Sequence, residues 1–434
     1  MKIKKLLCIW MVVLLVCCSL FQAKSYAQES NVEDKAMKVS VEGNSEEVSD
    51  GAFKDDQYTK LEDGTQENTE YSEKDTEEMI YGEYAYGELQ DGSVTIKQYK
   101  GTEQDLIIPS QIAGRNVTAI GCSAFWNNSN LKSVTMPDSI TEIGEDAFWG
   151  CNNLKNVKFS MNLSRIGGHA FLGASSLENA DIPESVVHIG NSAFEDCSSL
   201  TRIKIPKHVK KIGDGVFNGC INLTKIKIPK RVKSIGGNAF SETKWLENER
   251  EKTPCVVVNH VLIDGQKCNG EVSILDGVEH IADFAFFECS SLTDVKIPGS
   301  VISIGAAAFA YCRNLASIEI ADGVEQIGDN AFCDCTALTN INIPKTVTSI
   351  GDEAFCDCNS DLIVTVVKGS YAESYAKENN IKYSYAQSNQ NTSSNQTWKG
   401  IFTQITARKN DIITNMDQMS IIQKNVFAIL DNEQ

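Results

Sequence analysis

Residues 201–240 read TRIKIPKHVKKIGDGVFNGCINLTKIKIPKRVKSIGGNAF, and the stretch states one pattern twice. Ile-x-Ile-Pro, a hydrophobic residue, then Ile-Gly and Phe return after 23 residues. The beat continues in both directions. Ile-Gly falls at 120, 143, 166, 189, 212 and 235, and again at 304, 327 and 350, with Ile281-Ala282 holding the slot at 281. Five residues beyond each of these isoleucines stands a phenylalanine: Phe125, Phe148, Phe171, Phe194, Phe217, Phe240, Phe286, Phe309, Phe332 and Phe355.

A unit of 23 residues is too small to bury its own apolar face, so such units stack and share one continuous core. Leu-x-x-Ile-x-Ile, as in Leu223, Ile226 and Ile228, alternates at its end and suits a short strand. The proline that follows (Pro137, Pro183, Pro206, Pro229, Pro298, Pro344) stops the strand without costing a ladder hydrogen bond. Glycine after the repeat isoleucine is expected to supply a turn with positive φ. The Ala-Phe segment is expected to form the opposite wall. The fold class is therefore an α/β-type repeat solenoid with a parallel β-sheet on its concave face.

The pattern Leu-x-x-Ile-x-Ile-Pro-x-x-Val-x-x-Ile-Gly-x-x-Ala-Phe-x-x-Cys resembles the BspA-like branch of bacterial leucine-rich repeats. The opening YGEYAYGELQDGSVTIKQYKGTEQDLIIPSQIAGRNVTAIG is similar to that family's N-terminal cap, and GSYAESYAKENNIKYSY to its closing segment. The resemblance covers residues 81–385. It implies an exported surface protein that mediates adhesion, including binding to extracellular-matrix and plasma proteins of a host. One segment departs from the pattern. Residues 241–278 replace a unit with polar, charged sequence followed by VVVNHVLIDG, which reads as a hairpin on the side of the array.

The termini read differently. MKIKK followed by an apolar run and SYA ending at Ala27 has the layout of a signal peptide over 1–27, with an N-terminal membrane anchor as the alternative; cleavage is expected to leave a mature chain at the cell surface or secreted, with no membrane span. Residues 28–80 hold 17 Asp/Glu against 5 Lys, a net of -12 out of the chain's formal -18. That stretch has few apolar residues and reads as a disordered acidic leader. At the other end, 386–434 reads as a polar linker and an amphipathic tail, whose apolar spacing over 398–430 could support self-association.

Twelve of the 15 cysteines lie beyond the signal segment. Seven of them (Cys151, Cys197, Cys220, Cys289, Cys312, Cys335, Cys358) share one slot, eight residues after the repeat isoleucine, where a small buried side chain can bond neighbouring backbone. The motif CDC at 333–335 and 356–358 stacks Cys333, Cys335, Cys356 and Cys358 on adjacent coils. Core thiols, a disulfide, or a zinc site each fit those four residues. Cys255 and Cys268 flank the irregular hairpin and could bridge it. No cofactor is expected. The five histidines fall in different units, no H-E-x-x-H or G-x-S-x-G motif occurs, and no catalytic residue is assigned.

The lysines of the opening stretch are the remaining signal. Residues 201–235 carry ten Lys/Arg against Asp214 alone. By the period of two, Arg202 and Lys204 lie beside Lys225 and Lys227 on the exposed sheet, with Lys155 and Lys158 on the same face and Lys230 and Arg231 at its edge. This cationic patch suits an anionic glycan, an acidic region of a matrix or plasma protein, or the chain's own leader; a merely solvated face is the bland alternative. Nucleic acid is not expected, because the net charge opposes it and no stacking aromatics accompany the lysines. The sequence therefore points to an exported, non-enzymatic binding protein, with a self-assembling envelope or matrix component as the rival reading.

Overall fold

The computed structural model describes residues 78–386. The signal peptide, nearly all of the acidic leader and the tail from 387 onward lie outside the described residues. The first strand, Met79–Tyr81, pairs antiparallel with Tyr84–Glu88, so ordered cap structure begins inside the stretch assigned to the leader.

Each 23-residue unit forms one coil of a parallel β-solenoid. The Leu-x-x-Ile-x-Ile segments make short strands that pair in register with the next coil, as in Val134↔Val157, Ile203↔Ile226 and Val295↔Ile318. A second ladder, which sequence reasoning did not anticipate, runs through the repeat isoleucines themselves. It links Ile120, Ile143, Ile166 and Ile189, and later Ile281, Ile304, Ile327 and Ile350. Each coil is thus held to the next along two ladders, and along a third line of backbone hydrogen bonds through the turns, as in Phe148 N–H to the Ala170 carbonyl at 2.7 Å. The apolar residues from both lines point into one interior.

The Ala-Phe wall is built of turns, not helix. Two residues per coil take left-handed backbone there, three and seven places after the isoleucine. Asp146 (φ 55°) and Gly150 (φ 72°) do so in one coil, Asn330 (φ 54°) and Asp334 (φ 57°) in another. Asp, Asn and Gly recur at these slots because they tolerate that conformation best. Between them the phenylalanine turns inward. Phe125, Phe148, Phe171, Phe194, Phe217 and Phe240 stack with centroids 4.8–6.0 Å apart and planes within 12°. A second column joins Phe286, Phe309, Phe332 and Phe355.

The glycine after the isoleucine has a different reason from the one expected. It does not adopt positive φ. Its missing side chain is what counts: a Cβ on Gly167 would lie 2.6 Å from the Gly144 carbonyl carbon, and one on Gly190 would lie 2.4 Å from Gly168 N. Two hydrogen-bonded backbones meet face to face here, and between regular coils glycine leaves room for them. Ala282 takes the slot only where the coil before it is the irregular one, its N–H donating to the Leu262 carbonyl at 2.9 Å.

The array is interrupted once. Thr243 caps helix α1 (Lys244–Lys252), accepting a hydrogen bond from Leu246 N–H at 3.1 Å. The expected hairpin follows, Val256–Val258 with Val261–Asp264, but its second strand does not hang off the side. It joins the isoleucine ladder, with Leu262 opposite Ile281. The step from Ile235 to Leu262 spans 27 residues and the next spans 19, together equal to two regular periods. That is why the register survives. Among the described residues the two main apolar clusters nevertheless meet here, one running from the N-terminal cap to Val261 and touching Ala282, the other starting at Leu262. At the far end, helix α2 (Tyr371–Glu378) closes the second cluster, with Tyr375 edge-on to Phe355 at 6.2 Å.

Candidate functional site

Strands Arg202–Lys204 and Lys225–Lys227 pair in parallel, with Arg202 opposite Lys225 and Lys204 opposite Lys227. Ile203 lies inside, so the flanking residues project outward on the same face. The four cations therefore form a square on two strands about 4.8 Å apart. Like charges at that spacing repel. One carboxylate offsets them: Glu184 bonds Lys204 Nζ and also accepts from Lys207 N–H at 3.0 Å, contacts that hold its pKa below the usual carboxylate range. Among the described residues Lys225 and Lys227 make no ion pair.

The sheet ends abruptly at Lys227. The coil that would supply the next strand supplies α1 instead, and its first turn stands at the edge of the patch. Trp245 N–H donates to Leu223 carbonyl at 2.8 Å, and the half-buried indole packs on Phe240 with centroids 4.9 Å apart. The result is an open groove of about 420 Å³. Arg202, Lys204, Lys225 and Lys227 line it, with Trp245 and Glu249 from α1 and Asp181 on the opposite side.

Four of the sequence-assigned residues, Lys155, Lys158, Lys230 and Arg231, stand apart. The coil at 179–181 bridges Asn156 and Ile203, which puts Asp181 between Lys158 and Lys204 along the face. Lys155 and Lys158 are exposed but belong to a separate stretch of charge beyond that carboxylate. Lys230 and Arg231, also exposed, sit past Pro229 on the turn and do not line the groove. The expectation that no aromatic accompanies the lysines does not hold, since Trp245 does. Sequence reasoning missed Trp245 and Glu249 because it treated 241–278 as a hairpin alone. Thr243 followed by KWLENEREK, a run of good helix formers behind a capping residue, was the available signal.

The cysteine slot behaves as the repeat suggests. In the regular coils the slot thiol donates to the phenylalanine carbonyl of the coil before it: Cys151 to Phe125 at 3.1 Å, Cys312 to Phe286 at 3.1 Å, Cys335 to Phe309 at 3.2 Å. Cys289, which follows the irregular coil, turns instead to the Cys268 carbonyl at 3.3 Å. Burial pushes the Cys151 and Cys312 thiols up to about 12 and Cys358 to about 11. The CDC thiols do not converge on one point. Cys333 is bonded to Cys356 across 4.6 Å between Cα atoms, while Cys335 and Cys358 remain thiols in the repeat slot. Cys255 is likewise bonded to Cys268, across the irregular hairpin. Among the described residues no three His, Cys, Asp or Glu side chains gather as metal ligands. Nor is any described helix long and apolar enough to cross a membrane.

The repeat geometry has a counterpart in known proteins. The model of the BspA type leucine-rich repeat region matches residues 118–247 and 266–384, in six copies. This chain belongs to the BspA-type leucine-rich-repeat family. Comparison with curated proteins finds no match. Among solved structures, the BspA-type chain is similar to a leucine-rich cell surface protein of Faecalibacterium prausnitzii, with 28% identity, a TM-score of 0.42, and coverage of 73% of this chain and 96% of the other. The pneumococcal vaccine antigen PcpA matches at 19% identity and a TM-score of 0.42, covering 72% and 99%. The Treponema pallidum leucine-rich-repeat protein matches at 24% identity and a TM-score of 0.31, covering 60% and 91%.

Proposed function

We propose that this BspA-type chain is an exported, non-enzymatic binding protein, at the cell surface or secreted, whose central groove takes an anionic extracellular macromolecule. The observation that carries the reading is the square of Arg202, Lys204, Lys225 and Lys227 beside Trp245. Neighbouring cations on adjacent strands repel, so retaining four of them costs stability unless an anion relieves it. A groove with charged donors on its floor and an indole at its edge matches a ligand that alternates anionic groups with apolar surface. Sulfated or uronic glycans have that character, as do acidic segments of matrix and plasma proteins. The leucine-rich-repeat scaffold supports the same conclusion, since such arrays display extended surfaces for binding.

The test is binding of the mature chain to heparin and to immobilised matrix and plasma proteins, at low and physiological salt. A variant carrying Lys204→Glu, Lys225→Glu and Lys227→Glu runs alongside. The expected result is salt-sensitive binding that falls at least about tenfold in the variant. Equal binding by both proteins would remove the groove from the function. Deleting residues 28–80 separates an external ligand from the chain's own acidic leader: an external ligand binds as well or better without it.

A further inference from the structure

The turn wall of the first coils carries two indoles in the open. Trp126 is 59% exposed and Trp149 39% exposed. Both follow the buried phenylalanine of their coil, so they occupy one slot on consecutive coils. Asn127 N–H donates to the Trp149 carbonyl at 2.6 Å and ties the two turns together. The next coils fill the slot with Leu172 and then with Glu195, Asn218 and Ser241, and beyond the irregular coil Phe287, Ala310, Cys333 and Cys356 fill it and pack on one another. The coils next to the indoles thus do without an aromatic there, and the pair is not required by stacking of the repeat. Trp126 forfeits more than half of the gain its burial would bring, and Trp149 more than a third.

The surroundings say what covers them. The His169 ring lies 6.3 Å from Trp149, and its Nδ1 is 3.3 Å from Asp146 Oδ1. That oxygen faces inward, while 30% of the Asp146 side chain and 48% of the His169 side chain stay open to a ligand. Polar groups thus flank the indoles closely. Two indoles and half-buried Leu172 fall far short of the roughly 800 Å² per partner that a stable protein interface covers. The acidic neighbours Glu145 and Asp146 are equally poor company for an anionic membrane surface. A sugar ring meets every condition: its C–H face stacks on an indole, and its rim of hydroxyls bonds a carboxylate and an imidazole. The rise from one coil to the next, about 4.8 Å, is comparable to the length of one sugar unit.

We propose that Trp126 and Trp149 form a stacking platform for a neutral saccharide chain lying along the solenoid axis, with Asp146 and His169 bonding its hydroxyls. The site is distinct from the cationic groove in place and in ligand chemistry, and either can fail without the other. The experiment is a calorimetric and indole-fluorescence titration of the full chain with cellohexaose and with N-acetylated chitohexaose. Trp126→Ala, Trp149→Ala and Asp146→Asn run beside the groove variant Lys225→Glu/Lys227→Glu. At least one hexasaccharide is expected to bind, with each tryptophan variant weakening it by about tenfold and the groove variant leaving it unchanged. Melting temperatures and Trp149→Phe, which keeps a stacking face and most of the affinity, separate a lost contact from a lost fold. The proposal is overturned if neither sugar binds at millimolar concentration, if the double tryptophan variant binds as well as the parent, or if the groove variant loses the sugar too.

Discussion

Arg250 donates from Nε to Asp264 Oδ1 at 2.8 Å and from Nη2 to Asp264 Oδ2 at 2.5 Å, a two-pronged bond between α1 and the strand that restarts the array. A third contact runs from Nη2 to Gln266 Oε1 at 2.8 Å. Both side chains are largely out of water, with 18% and 7% exposed. The pair joins the element that ends the cationic sheet to the first strand of the second half. Removing one partner strands the other charge, at a cost of about 3–5 kcal/mol. Arg250→Ala and Asp264→Ala are therefore expected to lower the melting temperature sharply. The two main apolar clusters meet at this coil, so thermal unfolding of these variants should split into two transitions where the parent shows one. A calorimetric scan reads both effects, and an unshifted single transition would contradict them.

Gly167 and its neighbour Gly168 make a sharper test of how the coils meet. A Cβ on Gly167 lands within 2.8 Å of three backbone atoms of the preceding coil, whereas one on Gly168 finds only Asn191 O at 3.4 Å. Gly167→Ala should destabilise by roughly 1–3 kcal/mol through overpacking. Gly168→Ala should be neutral, or stabilise by up to about 1 kcal/mol, through a less flexible unfolded chain. Chemical denaturation of the two variants decides the point. Equal effects would refute the close-approach account of the repeat glycine.

Phe171 lies in the middle of the first aromatic column, fully buried, with Phe148 at 5.1 Å, Phe194 at 5.3 Å and Phe159 edge-on at 5.8 Å. Phe171→Ala leaves a cavity that neighbouring coils, pinned by two ladders and by turn bonds such as Phe171 N–H to the Ala193 carbonyl at 2.8 Å, cannot close. The expected loss is about 3–5 kcal/mol, measured by urea titration. Phe171→Leu, which keeps most of the volume, should lose less.

The repeat thiols predict a pH dependence with a definite sign. Burial raises Cys151 and Cys312 from the usual 9.0 to about 12, so the folded protein keeps protons that the unfolded chain releases. Stability is then fully present below about pH 9 and is lost as the pH climbs toward 12. Melting temperatures across that window should fall, and Cys151→Ala/Cys312→Ala should flatten the fall. Alkylation at pH 8 should label Cys122, whose thiol is exposed, well before the slot cysteines.

Period determined most of this molecule before any coordinates. The recurrence of Ile, Phe and Cys at 23 residues establishes a stacked solenoid because no shorter unit could bury those side chains alone. The strand register of Ile203 with Ile226 follows directly from that spacing, and so does the pairing of Arg202 with Lys225 and Lys204 with Lys227. The thiol slot was legible for the same reason. What repetition cannot encode is whatever two coils do to each other where they touch or where one breaks the rule. The repeat glycine looked like a turn residue, and only the close backbone of the preceding coil, 2.6 Å from where a Cβ on Gly167 would stand, shows that it is a spacer. The spacing of the CDC motifs set Cys333 near Cys356 and Cys335 near Cys358 but left core thiols, a disulfide and zinc all open; side-chain direction bonded Cys333 to Cys356 and sent Cys335 and Cys358 to carbonyls. The groove itself depends on α1 replacing a strand and bringing Trp245 to the lysines. That placement is a contact between unlike elements, set by packing on Phe240 and by the Arg250–Asp264 bond, and a one-dimensional pattern carries no record of it.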